Sequence, residues 1–292
     1  LCYKERELAD MNTIGSLSTV NSIFNSIEQL AQMCLDSVEV AIRNEELSVD
    51  GFRGLSSVKM QLLQMKKIIR SYSFLSAPLC GHDELRCESF CWSDFPNGIE
   101  SAVKSVFPSY KAPLLSFTGS FETEATFITN RRRFDLLIYS IIYILIAESR
   151  DDTEPRPVKI TFHLTNGTDL FVLHIRNGER ILEPERVNAV LSEAENRVWD
   201  IKFDGTGMES ELAVIAKSAK ELGFGVRFSA LKSGDKFEIH IPVSADSDTN
   251  TMASPRTYAP DREVAAEIFS DMPQFCLASG EQNTAENDGT QG

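Results

Sequence analysis

The sequence predicts an α+β fold in two parts. A long antiparallel helical hairpin, closing into a dimeric four-helix bundle, precedes an α/β sandwich of a mixed sheet with its helices on one face. Three observations carry that expectation. Apolar residues recur in steps of three and four over residues 3–44 with no proline, a second such stripe ends just before Pro78, and beyond it short β-rich runs alternate with helical patterns.

In the first stripe Leu17, Phe24, Ile27, Leu35 and Ile42 share one helix face, and in the second Phe52, Leu55, Leu62, Met65 and Ile69 do so. The polar break over residues 45–51 makes the pair a hairpin. Two helices bury little, so the stripe predicts closure against a second copy of the chain. Residues 3–77 are assigned to this dimerisation domain.

Residues 78–245 form the predicted α/β domain. Strands are expected over 90–95, 114–121, 127–129, 158–164, 170–175, 226–230 and 236–241. Helices are expected over 97–107, 135–148, 184–195 and 209–222. Asn166-Gly167 is a hairpin-turn signal, and Gly223 with Gly225 stops the last helix. Residues 246–292 are rich in Ser, Asp, Thr, Asn, Glu and Gly and read as a disordered acidic and polar tail with a weak local helix over 261–269.

Composition narrows the function. The 292 residues carry a net charge of −14, which disfavours nucleic acid and anionic membrane as partners. The longest apolar run, Leu136 to Ala147, is too short to span a bilayer, for which roughly 20 residues are needed. With no export signal and six scattered cysteines, the chain is placed in a reducing cytoplasm. It starts with Leu rather than Met, as a fragment or trimmed chain would, which leaves open whether a sensor or membrane segment lies upstream. Cys80, His82, Cys87 and Cys91 offer thiol and imidazole ligands but lack paired zinc-knuckle spacing, and are read as small buried thiols in a linker and first strand. Arg131-Arg132-Arg133 reads as a solvated basic run.

The order of elements, and four local stretches, resemble the core of a sensor histidine kinase: a dimerisation hairpin followed by a GHKL-type ATPase domain. His174-Ile175-Arg176-Asn177-Gly178-Glu179-Arg180-Ile181 is similar to that family's Asp-x-Gly-x-Gly box, with Arg176 in place of the adenine-anchoring Asp and Arg180 in place of the second Gly. A guanidinium only donates, so it cannot accept from the adenine amino group. Gly205-Thr206-Gly207 before a helix is similar to the phosphate-side glycine box, but Glu209 and Glu211 add negative charge there. The run from Ile141 to Glu148 resembles the magnesium-binding helix, with Ile144 and Glu148 at its two polar positions. Asn12 or Thr13 stands where the phosphoacceptor His belongs, and the four histidines, His82, His163, His174 and His240, lie outside the hairpin. An amide or hydroxyl cannot replace the attacking imidazole, so autophosphorylation at the usual place is excluded.

The resemblance therefore implies a regulatory, pseudokinase-like homodimer of a two-component pathway, meeting a response-regulator or kinase partner. Its eroded ATP site would be lined by Glu148, Asn177, Gly178, Gly205, Thr206 and Gly207, with ATP and magnesium as the implied cofactors and no catalytic residue. The alternative is a working ATP-binding histidine kinase or phosphotransfer enzyme with divergent motifs.

Overall fold

The computed structural model describes residues 2–43, 47–77, 85–107, 113–148, 158–178, 182–196, 208–232, 234–243 and 255–272, with backbone alone over 2–21, at 148 and over 193–196. The chain divides into two compact units at Pro78, the second running to Pro273.

The first unit is the expected hairpin, α1 (Cys2–Ile42) and α2 (Val49–Ser76). Ser48 caps α2, its hydroxyl accepting from the Gly51 N–H at 3.1 Å. Ala31, Leu35, Ile69 and Leu75 are buried between the helices, and the rings of Phe24 and Tyr72 stand 6.0 Å apart. Glu28 pairs with Arg70 at 2.6 Å, Gln32 with Lys66 at 2.5 Å and Glu39 with Lys59 at 2.8 Å. Partners advance along α1 as they recede along α2, which fixes the antiparallel register.

The second unit follows the order β1 (Glu88–Cys91), α3 (Phe95–Val106), β2 (Leu114–Gly119), β3 (Thr126–Thr129), α4 (Arg131–Glu148), β4 (Lys159–Asn166), β5 (Leu170–Asn177), α5 (Pro184–Asn196), α6 (Met208–Leu222), β6 (Gly225–Leu231), β7 (Gly234–Pro242) and α7 (Arg262–Ile268). Five strands make one mixed sheet in the order β2-β4-β5-β7-β6, parallel only between β2 and β4. β1 and β3 form a separate antiparallel pair. Ile160, Phe162, Leu164, Phe171, Leu173, Ile175, Phe237, Ile239 and Ile241 alternate into the buried face, against which the helices pack in the sequence α5, α6, α4, α7. Gly223, at φ 71°, ends α6 as its position in the sequence foretold.

Two expectations differ from what is observed. The strand expected over 90–95 stops at Cys91, and a 3-10 turn over Trp92–Asp94 leads into α3. Pro96 lacks an N–H and suits a first helical turn, so Phe95 belongs to the helix. Its ring stacks on Phe121, while Trp92 stacks on Phe127 with centroids 4.1 Å apart, tying the small β-pair into the core.

The second difference is larger. Residues 255–272 were expected within a disordered tail, yet they close the domain: Tyr258, Val264, Ala265, Ile268, Phe269 and Met272 are all buried. The remainder of the tail lies outside the described residues. Gly98 permits this docking, because a Cβ there would meet Pro260 Cδ at 2.8 Å. The polar anchor is Asp135 of α4, wholly buried, whose carboxylate accepts from the Tyr258 hydroxyl and, at 2.7 Å, from the Asp261 N–H. Two turns further along α4, Tyr143 donates to Asp271 at 2.7 Å, and Phe269 packs edge-on against Tyr139.

Burial raises the Asp135 carboxyl to about 6, against the lowering effect of the Tyr258 and Asp261 bonds. Between about pH 4 and 6 the native state holds a proton that the unfolded chain has released, so this group's contribution falls as pH rises through that window. Relative to Asp135→Asn, the wild type should gain about 2 kcal/mol of unfolding free energy between pH 7 and pH 4, read by urea denaturation.

Candidate functional site

Three elements bring the sequence-predicted site residues to the second unit: the end of β5, the helix α4 and the start of α6. Alternation along β5 sends Phe171, Leu173, Ile175 and Asn177 toward the helices, and Val172, His174 and Arg176 toward the opposite face. Arg176 thus points away from the helix layer. A ligand held among the helices would meet Asn177 rather than Arg176.

Asn177 is buried, and its side-chain carbonyl accepts from the Asp235 N–H at 2.9 Å. Asp235, itself fully buried, accepts from the Leu182 N–H at 2.8 Å. The pair stitches the end of β5 to the start of β7 and to the approach of α5. Asp235 escaped notice in the sequence because Ser233-Gly234-Asp235 reads as an ordinary hairpin turn. Its position opposite the end of β5 is set by sheet register. Gly178 is exposed, and a Cβ added there would meet nothing within 4 Å.

On α4, Ile144 is completely buried. Ser140, one turn earlier on the same face, is also buried, and its hydroxyl has no partner among the described residues. Glu148 is the last residue of the helix, where only backbone is described. Arg180 and the Gly205-Thr206-Gly207 turn lie outside the described residues, as do Cys80 and His82. Glu209, at the start of α6, pairs with Arg186 of α5 at 3.1 Å, and Glu211 is buried. Arg133, expected to be a solvated cation, bonds the buried Glu221 of α6 at 2.7 Å and clamps α4 to that helix.

Cys87 and Cys91 are free thiols, and burial pushes Cys87 upward. No cluster of three or more His, Cys, Asp or Glu suited to a metal occurs among the described residues. Neither does any helix among them have the length and apolarity to cross a membrane. A pocket of about 390 Å³, lined by Leu191, Ala216, Ala219, Lys220, Gly223, Phe224 and Val226, contains none of the sequence-predicted site residues.

Among solved structures, full-length ShkA in complex with AMPPNP is similar over 78% of this chain and 45% of its own, at 12% identity and a TM-score of 0.55. The chain has the fold of a histidine kinase core. The Acinetobacter baumannii histidine kinase AdeS is similar over 75% of this chain and 96% of its own, at 16% identity and a TM-score of 0.46. The mycobacterial sensor histidine kinase MprB is similar over 51% and 93%, at 16% identity and a TM-score of 0.37. No protein-family model matches the chain, and no curated protein does. At such identities the likeness concerns the histidine-kinase fold alone. The end of β5 keeps a buried amide committed to a structural bond, and α4 presents an isoleucine to the core.

The commitment of Asn177 gives a prediction that separates support from ligand binding. Asn177→Ala leaves the buried Asp235 N–H without its acceptor and should cost about 1–3 kcal/mol of stability with no nucleotide present. Gly178→Ala, in open space, should stay within about 0.5 kcal/mol of wild type in the same urea titration.

Proposed function

We propose that this chain is a regulatory, non-catalytic member of a two-component signalling pathway, a homodimer that offers its hairpin to a response-regulator or kinase partner. One observation carries the reading: from residue 2 to residue 77, where a histidine kinase needs its phosphoacceptor, there is no histidine. The described histidines, His163, His174 and His240, stand instead on β4, β5 and β7 of the other unit.

The dimer rests on the hairpin's outer surface. Ile23, Leu30, Met33 and Val40 follow seven- and three-residue steps along α1 and are 52–72% exposed in the single chain. Val58 and Met65 stand a heptad apart on α2, also exposed. A stripe with this period is the seam of a helical bundle, and burying each such side chain is worth roughly 1.5–3 kcal/mol. A second copy meets that need by two-fold symmetry.

The proposed remnant of the ATP site comprises Glu148, Asn177, Gly178, Gly205, Thr206 and Gly207. An apolar side chain at position 144 removes a magnesium ligand, and Asn177 already serves Asp235. Phosphoryl transfer depends on positioning and charge neutralisation, so these losses fall on separate contributions to catalysis. A working kinase with divergent motifs is the second reading, favoured by the placement of Asn177 on the helix side, where an amide acceptor could face a base.

Two measurements test the proposal. The purified chain incubated with γ-labelled ATP and magnesium should incorporate no label, and incorporation would support the second reading. In light scattering the chain should run as a dimer, and Leu30→Glu/Met33→Glu should convert it to a monomer.

A further inference from the structure

The sheet face turned away from the helices carries a charge pattern that neither the core nor the candidate nucleotide site explains. Strand register sets two rows straight across the five strands: Ser116, Thr161, Arg176, Lys236 and Ser229 in one, and Thr118, His163, His174, Glu238 and Arg227 in the next. Lys159 stands two residues before Thr161 on β4, and His240 two residues after Glu238 on β7. The face therefore holds four cations and a single carboxylate, in a chain whose net charge is −14.

That carboxylate is already engaged. Glu238 bonds His240 Nε2 at 2.6 Å and Lys236 Nζ at 3.1 Å, and the His240 bond is the main reason its carboxyl is held down at about 2. Arg176, Arg227 and Lys159 have no ion pair or side-chain hydrogen bond among the described residues. Acidic residues outnumber basic ones 43 to 29, and Arg70, Arg133, Arg186 and Arg256 each have a carboxylate partner. Three cations left without one, gathered on a sheet face whose two rows bear four hydroxyl side chains, form a strip of hydrogen-bond donors.

We propose that this face is a docking surface for an acidic, extended segment of a protein partner. Five strands about 4.8 Å apart make the rows roughly 19 Å long, the span of about six extended residues at roughly 3.3 Å each. Glutamate or aspartate side chains would meet Arg176, Arg227 and Lys159 as charge-assisted pairs, and the Thr161 and Ser229 hydroxyls would serve the backbone carbonyls, those of Ser116 and Thr118 already donating within the sheet. The short length selects a peptide over nucleic acid or membrane. A long polyanion would run past the patch onto the acidic remainder of the molecule, within the roughly 8 Å over which charges act at physiological salt. The surface belongs to the second unit and shares with the nucleotide boxes only His174 and Arg176, which stand on the sheet face opposite Asn177, so it stands independently of the function proposed above.

The test is fluorescence anisotropy of a labelled hexaglutamate peptide titrated with the full chain. Saturable binding that weakens with added salt is expected. Arg176→Glu/Arg227→Glu changes two exposed residues without intramolecular partners, and should weaken binding about ten-fold while leaving the circular dichroism spectrum and Tm unchanged. No binding at millimolar protein, equal affinity in the variant, or tighter binding of a single-stranded oligonucleotide or of phosphatidylserine vesicles overturns the proposal.

Discussion

A helix that is apolar on every side must be covered on every side, and much of the second unit follows from that requirement on α4. From Phe134 to Ile146 every residue except Leu136 is buried. The sheet covers one side, α6 another, and the segment ending in α7 a third. Among these buried positions the Asp135 carboxylate is the charged exception. It can remain buried because the Tyr258 hydroxyl and the Asp261 N–H are directed at it. The same bonds give the covering segment a defined seat, which hydrophobic contact alone would not.

That covering bears on function. The residues of α4 are so thoroughly enclosed that position 144 belongs to the core, and the side chain there contributes packing. At the end of β5, Asn177 is likewise drawn into structural service by Asp235. The domain thus has the sheet and helices of a histidine kinase core, with side chains at positions 144 and 177 that stabilise the fold. Its solvent-facing sheet surface, by contrast, gathers cations that the core does not need. The two faces of one sheet therefore follow different constraints, apolar closure on one and charge display on the other.

The order of elements was legible because each depends on local pattern: steps of three and four along α1 and α2, Asn166-Gly167 between β4 and β5, Gly223 after α6. The packing of residues 255–272 was hidden because the seven-residue helix α7 has a short stripe, and its complement, from Asp135 to Tyr143, lies more than 120 residues away in sequence. Arg176 drew attention as the residue aligned with the adenine-binding Asp, yet strand alternation faces Asn177 to the helices instead. A one-residue difference in register changes the face of every side chain, and a motif read without the sheet cannot supply that register. Asp235 was invisible for the same reason, its partner being set by pairing between strands 58 residues apart.

The most direct measurement is a calorimetric titration of the full chain with ATP in the presence and absence of magnesium. With an isoleucine enclosed at position 144, the account predicts no saturable magnesium-dependent heat up to millimolar nucleotide. A magnesium-dependent Kd in the micromolar range would contradict it.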